Sequence, residues 1–280
     1  MSLKVVRNIL DLRKETTVWR AEGLTSAVVP TMGALHDGHI TLVREGLKQA
    51  DRVLATIFVN PKQFAAHEDL GRYPRTEAAD VARLEEAGAH LVFAPEPQEI
   101  YPPGFATSVV LTGPAKAGLE DKFRPDFFNG VATIVAKLFA QSQADFAMFG
   151  EKDYQQLMVV TRMACDLDLP IKVIGVPTVR EESGLALSSR NAYLSKTEHH
   201  KAAALHQKLV NAARKIRAGQ RPSRATGVAR RSLALLGFRV DYVAARNAET
   251  LAQPKGPDEP LRLLAAAWLG NTRLIDNIAV

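Results

Sequence analysis

The strongest constraint on the fold is a set of short apolar runs, each of strand length, separated by segments of helix length. Arg52–Val59 (RVLATIFV) is the clearest run, and Ser26–Pro30, Leu91–Ala94, Phe146–Phe149 and Lys172–Val176 read in the same way. Between them, the stretches from about His39 to Gln49, Thr76 to Ala87, Asn129 to Gln141 and Tyr154 to Leu167 read as helices, with Gly88 as a C-cap and Pro170 closing the last. Strands that are apolar on both faces and alternate with helices predict a parallel sheet covered on both sides, an α/β arrangement.

After about Leu185 the pattern changes. Lys201–Arg217 places Leu205, Leu209, Ala212 and Ile216 on one helical face, and a second helix is expected from about Ser223 to Leu236, ending at Gly237. Phe238–Val243, Leu261–Ala267 and Thr272–Val280 then read as strands. Helices followed by strands predict a smaller α+β domain, so the chain divides into residues 1–185 and 186–280. Its 280 residues are enough for a main domain and a small one. The formal charge divides at the same place: residues 1–185 hold 20 Lys and Arg against 24 Asp and Glu, and residues 186–280 hold 16 against 6. A basic C-terminal third suits a polyanion such as a nucleoside triphosphate or a nucleic acid. Its cations follow helical periods without interleaved aromatics, which argues against a single-strand-binding platform.

One cysteine, Cys165, excludes an intramolecular disulfide framework and is expected to be a small buried apolar residue. The opening MSLKVVRNILDLRKE is interrupted by charges every few residues, and the apolar stretch Leu263–Leu269 is too short to span a bilayer. The expectation is a soluble, cytoplasmic protein, with neither a membrane nor a nucleic acid as partner.

Four segments carry chemistry. PTMGALHDGHITLV (Pro30–Val43) stands where a strand hands over to a helix. Its glycines Gly33 and Gly38 permit a tight turn and close approach to a ligand, and the helix beginning near His39 offers N–H groups and a positive dipole end to phosphate. His36 and His39 are three apart, so both rings reach one side of the first turn and can donate to phosphoryl oxygens. The spacing His-x-Gly-His resembles the signature of the nucleotidylyl-transferase superfamily, whose members attack the α-phosphate of ATP. GLALSSRNAYLS (Gly184–Ser195) supplies Ser188, Ser189 and Arg190, two hydroxyls and a fork-shaped cation suited to a polyphosphate. FGEKDYQQL (Phe149–Leu157) offers Lys152 to the triphosphate, Asp153 to Mg²⁺ or the ribose hydroxyls, and Gln155 and Gln156 to a small hydroxy acid. In IFVNPKQF (Ile57–Phe64), Asn60 and Gln63 are expected to project from a loop. All four are expected at the carboxyl ends of strands, where open parallel sheets bind ligands.

A P-loop and a dinucleotide fingerprint are both missing from the sequence. Two other readings stay open: a nucleotidyltransferase acting on a phosphate acceptor, and a non-catalytic RNA-binding protein using the basic C-terminal third. The neutral amides of NPKQF and QQL weigh against the first.

Together with RYPR (Arg72–Arg75), FRPDFFNGVATIV (Phe123–Val135) and the closing AAAWLGNTRLIDNI, these segments resemble the pantothenate synthetase family from about residue 3 to the end. The resemblance implies a Rossmann-like catalytic domain (1–185), a C-terminal lid domain (186–280), a homodimer, and Mg²⁺, ATP, (R)-pantoate and β-alanine as cofactor and substrates. It implies nucleotide contacts from Met32, Gly33, Ala34, Leu35, His36, Asp37, Gly38 and His39, with His39 as proton donor. Further nucleotide contacts fall on Gly150, Glu151, Lys152 and Asp153, and on Val179, Leu187, Ser188, Ser189 and Arg190. Gln63 and Gln156 match pantoate-binding glutamines, Gln63 also lying near β-alanine. Where the family carries Arg-Pro-x-His-Phe-x-Gly, this chain has Phe127 at the histidine position.

Overall fold

In the computed structural model, which describes residues 3–64, 70–256 and 258–280, the elements follow in chain order. First come β1 (Lys4–Val6), α1 (Ile9–Ala21), β2 (Ser26–Thr31), α2 (Asp37–Gln49), β3 (Arg52–Ile57), α3 (Glu77–Glu86), β4 (Leu91–Phe93) and α4 (Pro97–Ile100). There follow α5 (Glu120–Phe123), α6 (Phe127–Ser142), β5 (Phe146–Gly150), α7 (Tyr154–Asp166) and β6 (Lys172–Val176). The chain closes with α8 (Lys196–Ala202), α9 (Ala204–Arg217), α10 (Pro222–Leu235), β7 (Arg239–Asn247), β8 (Leu261–Leu269) and β9 (Thr272–Ala279).

Strands β1 to β6 form one parallel sheet in the order β1-β4-β3-β2-β5-β6. Four of the expected apolar runs are its central strands β2 to β5, and the fifth, β6, lies at an edge and is only partly buried; Val28, Val29, Val53, Leu54 and Ala55 are fully buried because helices cover both faces. From β2 the chain steps to β3 and β4 on one side and later to β5 and β6 on the other. The carboxyl ends of β2 and its neighbours therefore form the topological switch point, where such sheets bind ligands. Strand β1 and helix α1 were not legible in the sequence. Helix α1 buries only Leu12, Thr16 and Trp19, a stripe too narrow to stand out among its charges.

The chain gathers into two compact units. One comprises residues 1–111, 124–150 and 159–176, and the other residues 112–123, 151–158 and 177–280. The second unit is built on an antiparallel sheet β7-β8-β9. The expected face Leu205, Leu209 and Ala212 of α9 is buried against it, with Ile216 partly buried. The expected single helix over Lys201–Arg217 is two: α8 begins earlier, under a Ser195–Glu198 capping box, and the chain breaks at Ala203 before α9. Residues 112–123 belong here because Arg273 on β9 binds Glu120 in a bidentate pair (2.6 and 2.9 Å) and Asp241 on β7 (2.8 Å). Tyr242 donates to the same Glu120 carboxylate at 2.8 Å. Part of the basic excess of the C-terminal third thus faces inward, on carboxylates.

Cys165 is exposed, contrary to expectation. Its helix turns Val159, Val160, Met163 and Ala164 inward, which leaves positions 161, 162 and 165 on the outer face. Among the described residues no helix is long and apolar enough to cross a membrane.

Candidate active site

Strand β2 ends at Thr31, and the chain turns through Gly33 (φ +78°) and Ala34 (φ +50°). A Cβ on Gly33 would lie 3.1 Å from an oxygen of Asp80 and 3.2 Å from Ile57, so the angle favours glycine and the space for any side chain is tight. The turn is held from α3: Asp80, only 2% exposed, accepts from the N–H groups of Ala34 (2.9 Å) and Leu35 (2.8 Å). Arg83, one turn on, donates to the carbonyl of Leu35 and to the carboxylate of Asp37. Asp80 and Arg83 escaped the sequence reading because they lie more than forty positions from the loop they brace.

Helix α2 starts at Asp37, two residues before the expected His39, and His36 is its N-cap. Nδ1 of His36 accepts from the N–H of Gly38, and Nδ1 of His39 accepts from the N–H of His36, each at 3.2 Å. This is a capping box made of two imidazoles, their rings 4.1 Å apart. A ring nitrogen that accepts carries no proton, so each neutral ring keeps its proton on Nε2. The cap therefore does two things at once. It satisfies the helix end, and it fixes both rings in the tautomer whose Nε2 donates.

Strand β3 leads to a 3₁₀ turn, Pro61–Gln63, capped by Asn60. Asn60 does not project from the loop as expected: it is 1% exposed. Its amide donates to Oε1 of Gln63 (2.9 Å) and the carbonyl of Gly130 (3.2 Å). Its oxygen accepts from the Tyr101 hydroxyl (2.8 Å) and the N–H of Lys62 (3.3 Å). Burial drives the Tyr101 hydroxyl well above its usual pKa, more than the bond to Asn60 lowers it, so Tyr101 stays a donor. Asn60 therefore orients Gln63. Arg124 supports the same turn, donating to the carbonyl of Gln63 at 3.0 Å while its guanidinium lies 3.6 Å over the ring of Phe127. The aromatic at the family's histidine position thus serves as a platform for Arg124. Helix α6 can approach the turn only because residue 130 is glycine: a Cβ there would stand 2.0 Å from the carbonyl oxygen of Lys62.

In the second unit, a 3₁₀ turn carries Glu151, Lys152 and Asp153 directly after Gly150, with Lys152 Nζ 3.7 Å from the Asp153 carboxylate. Gln155, expected to be offered to a small hydroxy acid, is already engaged inside the protein. It is buried, accepts from the N–H of Glu120 (2.9 Å), and donates to Pro114 (2.8 Å) and Asp121 (2.9 Å). Gln156 is half-buried and takes no part in that network. Neighbouring positions 155 and 156 thus diverge by a helical step of about 100°.

The loop around Ser188 is a short hairpin. Val179 accepts from the N–H of Leu187 (3.0 Å), and Arg180 pairs with Ala186 as an antiparallel bridge. Arg180 donates to the carbonyl of Gly184 (3.0 Å) and, bidentately, to the buried Asp276 (2.8 Å each). The Ser188 hydroxyl caps the following 3₁₀ turn by accepting from the N–H of Arg190, while Ser189 and Arg190 are half-buried. This segment lies eight residues beyond the end of β6 and so does not stand at the strand end itself, as the sequence reading expected.

Within the first unit, the structure brings His36 together with His39, and Asn60 together with Gln63. Within the second it places Glu151, Lys152 and Asp153 on one turn, and Val179 with Leu187 on one hairpin. No group of three or more His, Cys, Asp and Glu able to hold a metal occurs among the described residues.

The sequence model of the family described as pantoate-beta-alanine ligase matches residues 4–279. A pantothenate synthetase of Nitrobacter hamburgensis is 54% identical over 277 residues, covering 99% of this chain and 98% of its own. One from Caulobacter vibrioides is 54% identical over 280 residues with the same coverage. Among solved structures, the pantothenate synthetase of Thermus thermophilus aligns with a TM-score of 0.91 at 44% identity, covering 99% of both chains. The pantoate-beta-alanine ligase of Francisella tularensis, complexed with beta-gamma ATP and beta-alanine, aligns with a TM-score of 0.81 at 29% identity, covering 99% of this chain and 97% of that one. Identity of this level over the whole length, on the same fold, means that the chain belongs to the pantoate–β-alanine ligase family.

Proposed function

We propose that the chain condenses (R)-pantoate with β-alanine in two half-reactions. In the first, a pantoate carboxylate oxygen attacks the α-phosphorus of ATP in line, forming pantoyl adenylate and releasing pyrophosphate. In the second, the amine of β-alanine attacks the acyl carbon, forming the amide of pantothenate and releasing AMP. ATP supplies the leaving group in each, so the enzyme's work is positioning and stabilisation of charge.

The observation that carries this reading is the imidazole cap of α2 at the switch point of the sheet. Two imidazoles 4.1 Å apart stand at the positive end of the helix, an arrangement that suits an α-phosphate gaining charge during attack. Met32, Gly33, Ala34, Leu35, Asp37 and Gly38 complete that nucleotide segment, with His39 as proton donor. Gly150, Glu151, Lys152 and Asp153, with Val179, Leu187, Ser188, Ser189 and Arg190, bind the rest of the nucleotide, the cations drawing charge toward the leaving pyrophosphate. Gln63 and Gln156 orient pantoate, and Asn60 acts through Gln63. Residues 1–185 then form the catalytic domain for ATP and pantoate, and residues 186–280 serve as the lid domain, which adds Leu187, Ser188, Ser189 and Arg190 to the nucleotide contacts.

Magnesium would arrive on the triphosphate. It commonly keeps water and takes only one or two protein carboxylates beside substrate phosphates. A lone Asp153 carboxylate, 46% exposed, fits that demand. Once bound, the ion would neutralise phosphoryl charge. A homodimer, as the family resemblance implies, working in the cytoplasm, as the single cysteine and charged opening segment suggest, completes the reading; sedimentation of the purified chain tests the dimer.

The decisive experiment is exchange of labelled pyrophosphate into ATP, with Mg²⁺ and without β-alanine. Exchange that requires pantoate supports the adenylate. Absence of exchange by folded protein that binds ATP would refute it.

A further inference from the structure

The turn that carries Lys152 is held by a network that no role described above requires. Asn277, on β9, is 3% exposed. Both of its amide hydrogens are engaged by consecutive carbonyls of that turn, those of Glu151 and Lys152, each at 2.8 Å. Its oxygen accepts from Nε of Arg262, on β8, at 2.7 Å. Arg262 in turn binds the Glu151 carboxylate at 2.8 Å and lies 4.0 Å over the ring of Tyr154. The Asn277 amide thus spends both donors on the turn, and its partner guanidinium is held on three sides.

A buried polar network of this kind is an unusual way to build a core. Apolar residues of similar volume often give equal or greater stability, whereas a satisfied network fixes one geometry. Here the fixed element is the main chain of residues 151 and 152. Carbonyls held on both sides of the Lys152 Cα leave its backbone little freedom, so the lysine stem leaves the turn in one direction.

We propose that Asn277, oriented by Arg262, is a positioning residue for the adenylation step and acts through Lys152. The proposal rests on the reading of Lys152 as a triphosphate contact. Asn277 touches no substrate. Its effect is to remove the conformational search that a lysine on a loose turn would make before each turnover.

The test is a double-mutant cycle on the full-length protein, using pantoate-dependent pyrophosphate exchange normalised to folded protein. Asn277→Ala is expected to lower the exchange kcat by roughly 10- to 100-fold, in the range that misplacement by about 1 Å produces, with the KM for pantoate nearly unchanged. In a Lys152→Ala background the same substitution should cost less than about twofold, because the residue through which it acts is gone. A residue that only stabilises the fold would leave the rate per folded molecule unchanged in both backgrounds, and one that acts independently of Lys152 would lower it by the same factor in both. Equal factors, an unchanged kcat, or a Lys152→Ala enzyme as fast as wild type would each overturn the proposal.

Should Asn277→Ala fail to fold, Arg262→Lys retains a cation but loses the Nε donor, and a smaller loss in kcat with the same dependence on Lys152 is expected. Hydrogen–deuterium exchange over residues 150–158 separates this proposal from the functional reading. Faster exchange in Asn277→Ala is expected even if wild type shows no pyrophosphate exchange. Unchanged protection would sink the clamp while leaving the ligase reading intact.

Discussion

Replacing Gly130 by alanine adds one methyl group where helix α6 meets the Asn60–Gln63 turn. That Cβ would stand 2.0 Å from the carbonyl oxygen of Lys62, 2.6 Å from its carbon and 3.1 Å from the nitrogen of Gln63. Carbon–carbon contacts settle near about 3.5–4.0 Å, so helix and turn must separate by about 1 Å. Every near atom belongs to the backbone, and no side chain can swing aside. Overpacking of this kind costs about 1–3 kcal/mol, against which alanine recovers up to about 1 kcal/mol over glycine as a helix former. The net loss of up to about 2 kcal/mol should lower the thermal midpoint by only several degrees in a chain of this size. Activity should suffer far more. The shift carries Gln63 with it and breaks the 3.2 Å bond from Asn60 to the Gly130 carbonyl, and a misplacement of about 1 Å can cost roughly 10²-fold. The assay is pantoate saturation of pyrophosphate exchange beside a melting curve. Gly227→Ala, inside α10 with only Arg231 at 3.7 Å, is the control and should be neutral or slightly stabilising. A Gly130→Ala enzyme within a few-fold of wild type in rate and pantoate saturation, at an unchanged midpoint, would refute the reasoning.

Three further outcomes are expected. Asp80→Ala leaves the N–H groups of Ala34 and Leu35 without their buried acceptor; about 1–3 kcal/mol should be lost for each group, read as a lower urea midpoint together with weaker ATP binding by calorimetry. His39→Ala should slow pyrophosphate exchange by about 10²–10³-fold through loss of one aligned donor, whereas Gln156→Ala should mainly raise the pantoate concentration needed for half-saturation; steady-state kinetics separate the two. Burial alone would raise the pKa of Asp276, but the nearby His206 ring, 3.3 Å away, and the bidentate Arg180 guanidinium outweigh it and hold the carboxyl below its ordinary value. The stability it lends is therefore complete above the unfolded-state pKa and is lost as the pH falls below about 4. Urea midpoints measured from neutral pH down to about pH 3 should show an acid limb that Asp276→Asn flattens.

The amino-acid sequence by itself determined what depends on local spacing. Period and length identified the strands from β2 to β6 and the amphipathic face of α9, because whether a residue is buried on a strand or helix follows from its neighbours along the chain. The motif His-x-Gly-His marked the strand-to-helix turn with its two imidazoles for the same reason: such a turn is complete within a few residues. Tertiary structure decided everything whose partner is remote in sequence. It turned Asn60 inward onto Gly130, joined Gln155 to the 112–123 segment, and left Cys165 on the outer face of its helix. It also brought Asp80 to the Gly33 turn, Arg124 to Gln63, and Asn277 to the carbonyls beside Lys152. A carboxamide or carboxylate looks the same in sequence whether it meets substrate or a buried N–H. Only the packing of distant elements settles which polar groups remain for chemistry and which are already satisfied inside the protein.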